Sequence, residues 1–430
     1  MYSSARVEDL TRVVAPPYDV ISAEMAARLR ARDPHNIVHV DLPEGAPPAR
    51  YERAASLLRQ WREDGTLVRE ERPSLYVVAQ RYATRGMPER TRLGVIGCLR
   101  IEDEASGVVL PHEATMDAPR TDRLELMAAT RCHLSPIFLL YTDPERTITP
   151  LLEAALNRPA DRWATDDAGV ETRLWRLADP AVVEALCAGL AHRPLWIADG
   201  HHRYAAARLL RDRLRPHGSG SAGPGPEELM PAYLTDADSP GLTILPYHRV
   251  LRELDGFDVE RLVSGVAPHM EVKRFAFEGY EPRPAQMARR LHEMSDRGRQ
   301  AIALYSGSGS FVLLVSSPGL AEHEAMAGVP GPLRGLDVVV LHRIVLEKAL
   351  GLSEEAQRSG GHLAYTEDAA RALGWVDSGE ARAAFLLNAT RAGQLRDVSS
   401  AGLRMPQKST YFYPKILTGL VLYPLEPDGA

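Results

Sequence analysis

Cysteine is scarce in this chain: three in 430 residues, Cys98, Cys132 and Cys187, with no CxxC spacing. So odd and scattered a set builds neither a disulfide framework nor a cysteine-based zinc site, and it suits a reducing cytosol. An excess of positive charge is also missing. The 51 Lys+Arg stand against 57 Asp+Glu, a net of −6, so no global basic field holds a polyanion by counter-ion release, and a nucleic-acid role would need a local patch. No apolar run nears the ~20 residues of a membrane span, and Met1–Asp9 has neither the basic flank nor the apolar stretch of a signal peptide. The expected setting is the cytoplasm, with no membrane partner. Internal repeats, a helix-turn-helix pattern, HExxH and the glycine spacing of a Walker loop are absent as well.

What remains is an ordinary globular composition, 45% hydrophobic and 25% charged with 33 Gly and 32 Pro, which excludes disordered and collagen-like chains. At ~150 residues per domain the length implies two or three lobes. Tyr51, Ala54, Leu58 and Trp61 recur at helical spacing and stop at Asp64-Gly65. Short β-branched or aromatic runs at Leu75–Tyr82, Leu93–Ile101 and Ile137–Tyr141 read as strands. Pro180–Leu190 reads as helix, Pro194–Ala198 as strand and Tyr204–Leu214 as helix. Further on, Ala232–Thr235, Leu242–Leu251, Ala383–Leu387 and Ile416–Leu422 read as strands, Arg283–Arg297 as a helix, and Ala301–Val315 as a hairpin tipped by Ser306–Ser310. Leu333–Leu350 is apolar round most of its circumference and reads as one buried helix. The expected fold class is mixed α/β (α+β): an N-terminal α+β region over 1–215, a Gly/Pro/Ser-rich loop over 216–230, and a C-terminal α+β region over 231–430.

Three segments concentrate reactive groups. In Asp199-Gly200-His201-His202-Arg203-Tyr204 a strand ends and a helix begins. A helix start carries unpaired N–H groups and partial positive charge, so with the imidazoles and Arg203 it forms an anion site; an Asp cap with exposed basic neighbours explains the same residues. In Pro111-His112-Glu113-Ala114-Thr115, followed by Arg120, Asp122 and Arg123, Glu113 beside an imidazole is a candidate general base, or part of a polar surface loop. Gly402–Lys415 packs Lys408, Ser409, Thr410 and Lys415 among three aromatics, either for phosphate contacts or as a basic turn before a strand. Zinc on His112, Glu113, His201 and His202 lacks a supporting spacing. His248-Arg249 and His342-Arg343 lie in apolar runs, where a lone histidine is usually a satisfied core group, and the Gly-Ser run at 306–310 reads as a hairpin tip.

These segments, with Ala15-Pro16-Pro17-Tyr18-Asp19-Val20 and Asn36-Ile37-Val38-His39-Val40, resemble over nearly the full length a prokaryotic domain-of-unknown-function family. Its marks are Ala-Pro-Pro-Tyr-Asp-Val, Pro-His-Glu, Asp-Gly-His-His-Arg-Tyr and Met-Pro-Gln-Lys-Ser-Thr-Tyr-Phe-Tyr-Pro-Lys. The family is similar to the ParB/sulfiredoxin superfamily and to its free-serine kinases, and the resemblance implies a ParB/sulfiredoxin-like core with additional α+β lobes. It further implies a phosphotransferase that acts on L-serine with pyrophosphate, ADP or ATP and Mg²⁺. On that resemblance Gly200, His201, His202 and Arg203 contact donor phosphates with His112, Arg120, Arg123, Lys408, Ser409, Thr410 and Lys415. Asp199 is then the magnesium-linked or orienting carboxylate, and Glu113 the base. Arg120 stands where the family pattern leads one to expect lysine, a planar fork in place of a point charge. The alternatives are a ParB-like nucleic-acid-binding or nucleotide-switch protein and a metal-dependent hydrolase.

Overall fold

The computed structural model describes residues 1–84, 87–215, 224–307, 309–358 and 361–426. Much of the expected 216–230 loop, and Ser308 of the expected hairpin tip, lie outside the described residues. The fold is mixed α/β, in two compact units: Met1–Pro111, Thr115–Thr243 and Pro414 onward form the first, and His112–Ala114 with Ile244–Tyr413 the second. Among the described residues no helix is long and apolar enough to cross a membrane.

The first unit is built on an eight-stranded mixed sheet, in spatial order Val109–Leu110, Leu195–Asp199, Ile137–Tyr141, Leu229–Asp236, Arg90–Arg100, Leu75–Tyr82, Glu171–Leu177 and Arg162–Thr165. Strand alternation sorts its faces. Val77, Ala79, Val95, Ile137, Leu139, Ile197, Ala232 and Leu234 share one apolar core, while Gln80, Arg92 and Thr172 stand opposite one another in register and are fully buried polar groups. The helix Ala49–Glu63 buries Tyr51, Ala54, Leu58 and Trp61, the four residues whose spacing predicts it, and ends at Asp64. It packs on Asp117–Thr130, which in turn packs on His201–Leu214.

A close backbone approach fixes the strand that carries Arg92. A Cβ on Gly241 would stand 2.0 Å from the Thr91 carbonyl oxygen and 2.9 Å from Arg92 Cα, and the Gly241 carbonyl accepts the Tyr82 hydroxyl at 2.9 Å. Gly241→Ala therefore has to push backbone against backbone. A loss of about 1–3 kcal/mol is expected, typical of overpacking, and urea unfolding checks it; an unchanged midpoint would mean the approach relaxes freely.

The second unit is an antiparallel six-stranded sheet in the order Met270–Ala276, Ser310–Ser316, Ala301–Tyr305, Ala383–Leu387, His248–Leu251 and Leu363–Thr366. Helices Arg283–Ser295 and Ala369–Asp377 cover one face through Met287, Leu291, Leu373 and Val376. Three sequence readings need correction. The expected strand Leu242–Leu251 is two, Thr243–Leu245 and His248–Leu251, split at Pro246, which has no N–H for a ladder. The single helix expected at Leu333–Leu350 is a short turn Gly331–Arg334, a helix Asp337–Val340 and a π-helix Leu341–Ala349, broken at Gly335. Ile416–Leu422, in the first unit, is not a strand. Only Thr418 bridges, to Ala15, because Gly419 turns at φ +90 with its backbone against Ile37.

Candidate functional site

In the first unit the strand Leu195–Asp199 ends in an irregularity. Leu139 pairs with Ile197, yet Phe138 pairs with Asp199, one residue further than a regular ladder allows. Such a bulge re-aims the side chain that follows it, and it sets Asp199 opposite Phe138. Gly200 then turns at φ +93 and starts the helix His201–Leu214 with no side-chain cap. Only glycine serves there, since a Cβ would also meet Arg203 Nη2 and Ile137 Cγ2 at 3.0 Å. Asp199 is therefore not the cap. Its Oδ2 takes Arg203 Nη2 at 2.7 Å and its Oδ1 takes Lys415 Nζ. Burial pushes this carboxyl up, but Lys415 and Arg203, with His201 beside them, outweigh it and hold it well below the usual carboxylate range.

Arg203 is pinned on its other side by Ser135 Oγ at 2.8 Å and the Pro136 carbonyl at 2.7 Å. Arg92 completes the group. Its Nη2 donates to Gln80 Oε1 and, at 2.5 Å, to the carbonyl of Pro414, next to Lys415. The rings of Phe138 and Tyr233 lie 4.5 Å and 5.4 Å from its cation. It also faces the Tyr233 hydroxyl, and burial lowers its pKa despite the pull of Tyr233, Tyr82 and Asp199. Two cations thus hold one carboxylate, and a third, Arg92, is tied to the residue before Lys415. His201 is buried and His202 half-buried in the first helical turn. Arg123 is buried between Asp41 Oδ1 (2.9 Å) and Asp122 Oδ2 (2.6 Å), under the Tyr18 ring at 4.1 Å; with Arg203, Asp41 and Ser135 it lines a cavity of only about 20 Å³. Arg120 makes a surface pair with Asp117.

In the second unit Glu113 bridges Met405 in parallel, and the Met405 N–H donates to the His112 carbonyl at 2.8 Å. This register delivers Glu113 Oε1 to the Ser409 N–H at 3.0 Å and His112 Nε2 to Thr410 Oγ1 at 2.9 Å. Lys408 sits at φ +59 with its ammonium 5.3 Å from the Tyr247 ring centre. Arg249, fully buried, donates to the carbonyls of Tyr247 and Gln407 at 2.6 and 3.0 Å. Burial lowers it to about 10, against the pull of Tyr365 and Glu113.

The family model described as a protein of unknown function, DUF1015, matches residues 1–339. The chain belongs to this family. Among curated proteins nothing matches it. Solved structures similar to this DUF1015 chain include a conserved hypothetical protein from Pyrococcus furiosus, at 14% identity over 75% of this chain and 92% of that one, TM-score 0.36. A free serine kinase in complex with AMP is similar at 13% over 74% and 86%, TM-score 0.37. SbnI with a C-terminal truncation from Staphylococcus aureus is similar at 12% over 78% and 90%, TM-score 0.37.

The structure of this DUF1015 member thus gathers Asp199, Arg203 and Lys415 in one unit and His112, Glu113, Ser409 and Thr410 in the other. Arg120 and Arg123 have ion-pair partners of their own. Sequence reasoning missed Arg92 and passed over Arg249. The signal for both was present: an arginine inside an apolar strand run has to be paired, covered by rings, or aimed at a ligand. Among the described residues no three His, Cys, Asp or Glu side chains gather to hold a metal ion, and a divalent ion at Asp199 would have to displace Lys415 or Arg203.

Proposed function

We propose that this chain is a small-molecule phosphotransferase that passes a phosphoryl group from pyrophosphate, ADP or ATP to the hydroxyl of a small hydroxy amino acid, L-serine. One observation carries the reading: Arg203 and Lys415 share a single buried carboxylate, Asp199, and the buried Arg92 is bonded to the carbonyl of Pro414, next to Lys415. Buried cations without matching counter-charge are costly, and a phosphate chain supplies both the charge and the acceptors. The start of a 14-residue helix adds its dipole at the same place.

The acceptor and the role of Glu113 follow from the family resemblance. The serine oxygen attacks the terminal phosphorus, its proton passes to the Glu113 carboxylate, and the bond to the leaving oxygen breaks, releasing orthophosphate, AMP or ADP according to donor. In so loose a transition state most of the catalysis is positioning and charge neutralisation. His201 and His202 contribute to donor binding, as do Lys408 and Thr410, while Arg203 acts as a positioning residue for Asp199. Magnesium, if required, would be held by the donor phosphates and would supply charge neutralisation there, since Asp199 already faces two cations.

Phosphorus NMR of the protein with Mg²⁺, L-serine and each donor in turn tests this directly. O-phosphoserine in one tube is the expected result, and its absence in all of them overturns the reading. Glu113→Gln keeps the shape and an acceptor for the Ser409 N–H while removing the base. It should lower kcat by about 10²–10⁴ with KM nearly unchanged; an equal loss in binding would make Glu113 structural.

A further inference from the structure

In the second unit the loop that carries Lys408 is fixed on both sides of it. Upstream, the Gln407 carbonyl accepts Arg249 Nη2 at 3.0 Å, and the other terminal nitrogen of the same guanidinium donates to the Tyr247 carbonyl at 2.6 Å. Downstream, the Ser409 N–H goes to Glu113 Oε1 at 3.0 Å, and the Ser409 carbonyl accepts Thr390 Oγ1 at 3.0 Å. Lys408 between them sits at φ +59, a backbone that glycine adopts freely and lysine does not. A lysine held at such a position points to a use for its side chain.

That side chain is half-buried, with its ammonium 5.3 Å from the Tyr247 ring centre. The Tyr247 ring is itself set by Tyr411, edge-on with 5.3 Å between ring centres and 86° between planes, and its backbone by the guanidinium that also holds Gln407. Among the described residues Lys408 has no ion-pair partner; the lysines that have one are Lys273 and Lys415. The difference is chemical. A carboxylate would cancel the charge and take N–H donors, whereas a ring face holds the ammonium and leaves both for a third group. It also narrows the freedom of a flexible four-carbon stem.

We propose that Tyr247 is a positioning residue, whose ring holds the Lys408 ammonium, charged and with its donors free, for a phosphate of the phosphoryl donor. Naming the donor rests on the phosphotransferase reading; the binding of a phosphate chain does not. Isothermal titration of the full chain with pyrophosphate, at fixed ionic strength and without serine, is the test. Tyr247→Leu should weaken pyrophosphate about fivefold, Lys408→Met at least as much, and the two together no more than Lys408→Met alone. Tyr247→Phe, which keeps the ring face, should bind within about twofold of the parent. A trifluorinated phenylalanine at position 247 keeps the shape of Tyr247→Phe but strips the ring face of negative potential, so it should bind as weakly as Tyr247→Leu without any loss of packing. Affinity equal to that of Tyr247→Phe in the fluorinated chain, or a Tyr247→Leu loss that persists in full beside Lys408→Met, overturns the proposal, as does a parent chain that binds no pyrophosphate. The expected pattern without any phosphoserine in the NMR tubes keeps the positioning role and removes the transfer reaction; phosphoserine formed with unchanged donor KM in Tyr247→Leu does the reverse.

Discussion

Asp199→Ala is expected to cost the first unit about 3–5 kcal/mol, the loss typical of a buried ion pair that loses one partner. The reason is what it leaves behind. Lys415 and Arg203 each put an N–H on one oxygen of this carboxylate, and Arg92 lies close enough to feel its charge. Without it, the buried cations face one another. Asp199→Asn, which keeps a polar group of the same shape, should lose less. The pairs are also coupled, so Asp199→Ala combined with Lys415→Met should lose less than the sum of the two single changes. Urea unfolding of the parent and these four variants measures both quantities, and a loss below about 1 kcal/mol in Asp199→Ala would mean that the cations rehydrate. If the cluster binds phosphate chains, pyrophosphate should raise the midpoint of Asp199→Asn by mass action; a midpoint that ignores pyrophosphate would count against an anion site here.

Local structure was legible in the sequence wherever one period or one breaker dominated. The four buried residues of Ala49–Glu63 are the four whose spacing defines the helix, and the strand Leu75–Tyr82, the helix Pro180–Leu190 and the strand Ala383–Leu387 fall at the residues their patterns predict. Ile416–Leu422 failed because apolar residues on a turn packed against Ile37 read the same as apolar residues on a strand. The strand-turn-helix at Asp199–Tyr204 was visible too, but not the consequence of its bulge: a one-residue shift in pairing follows from partner strands, not from local composition. Likewise Lys415, 216 positions from Asp199, meets it only because the sheet and the chain's return bring them together. His248, read as a core histidine, is one: it is buried, and its Nδ1 accepts the Leu387 N–H at 3.3 Å.

That bond makes the fold sensitive to acid. Burial, with the Arg249 charge, lowers His248 to about 3. Burial and Arg249 lower His342 to about 3, against a hydrogen bond that it donates to the Gln357 side chain, and burial lowers His133 to about 4, against one that it donates to the Leu229 backbone. Each has a folded pKa below its unfolded value near 6.5, so the unfolded chain binds protons that the folded one refuses. Their contribution is complete above pH 6.5 and fades as pH falls toward the folded values. At pH 5 each forfeits about 2 kcal/mol. Asp337 has the opposite sign: raised to about 6 by burial, it takes up its proton in the folded state first and returns about 1 kcal/mol over the same interval. The net expectation is a loss of about 3–5 kcal/mol between pH 7.5 and pH 5, a large share of the ~5–15 kcal/mol that holds a typical domain. Urea unfolding at the two pH values measures it, and equal stability at both would show that the three imidazoles charge in place. His248→Asn retains an acceptor for the Leu387 N–H but cannot titrate. It should remove one proton from the linkage, flattening the pH dependence by about 1.4 kcal/mol per pH unit where His248 alone would refuse its proton, while leaving the stability at pH 7.5 close to that of the parent.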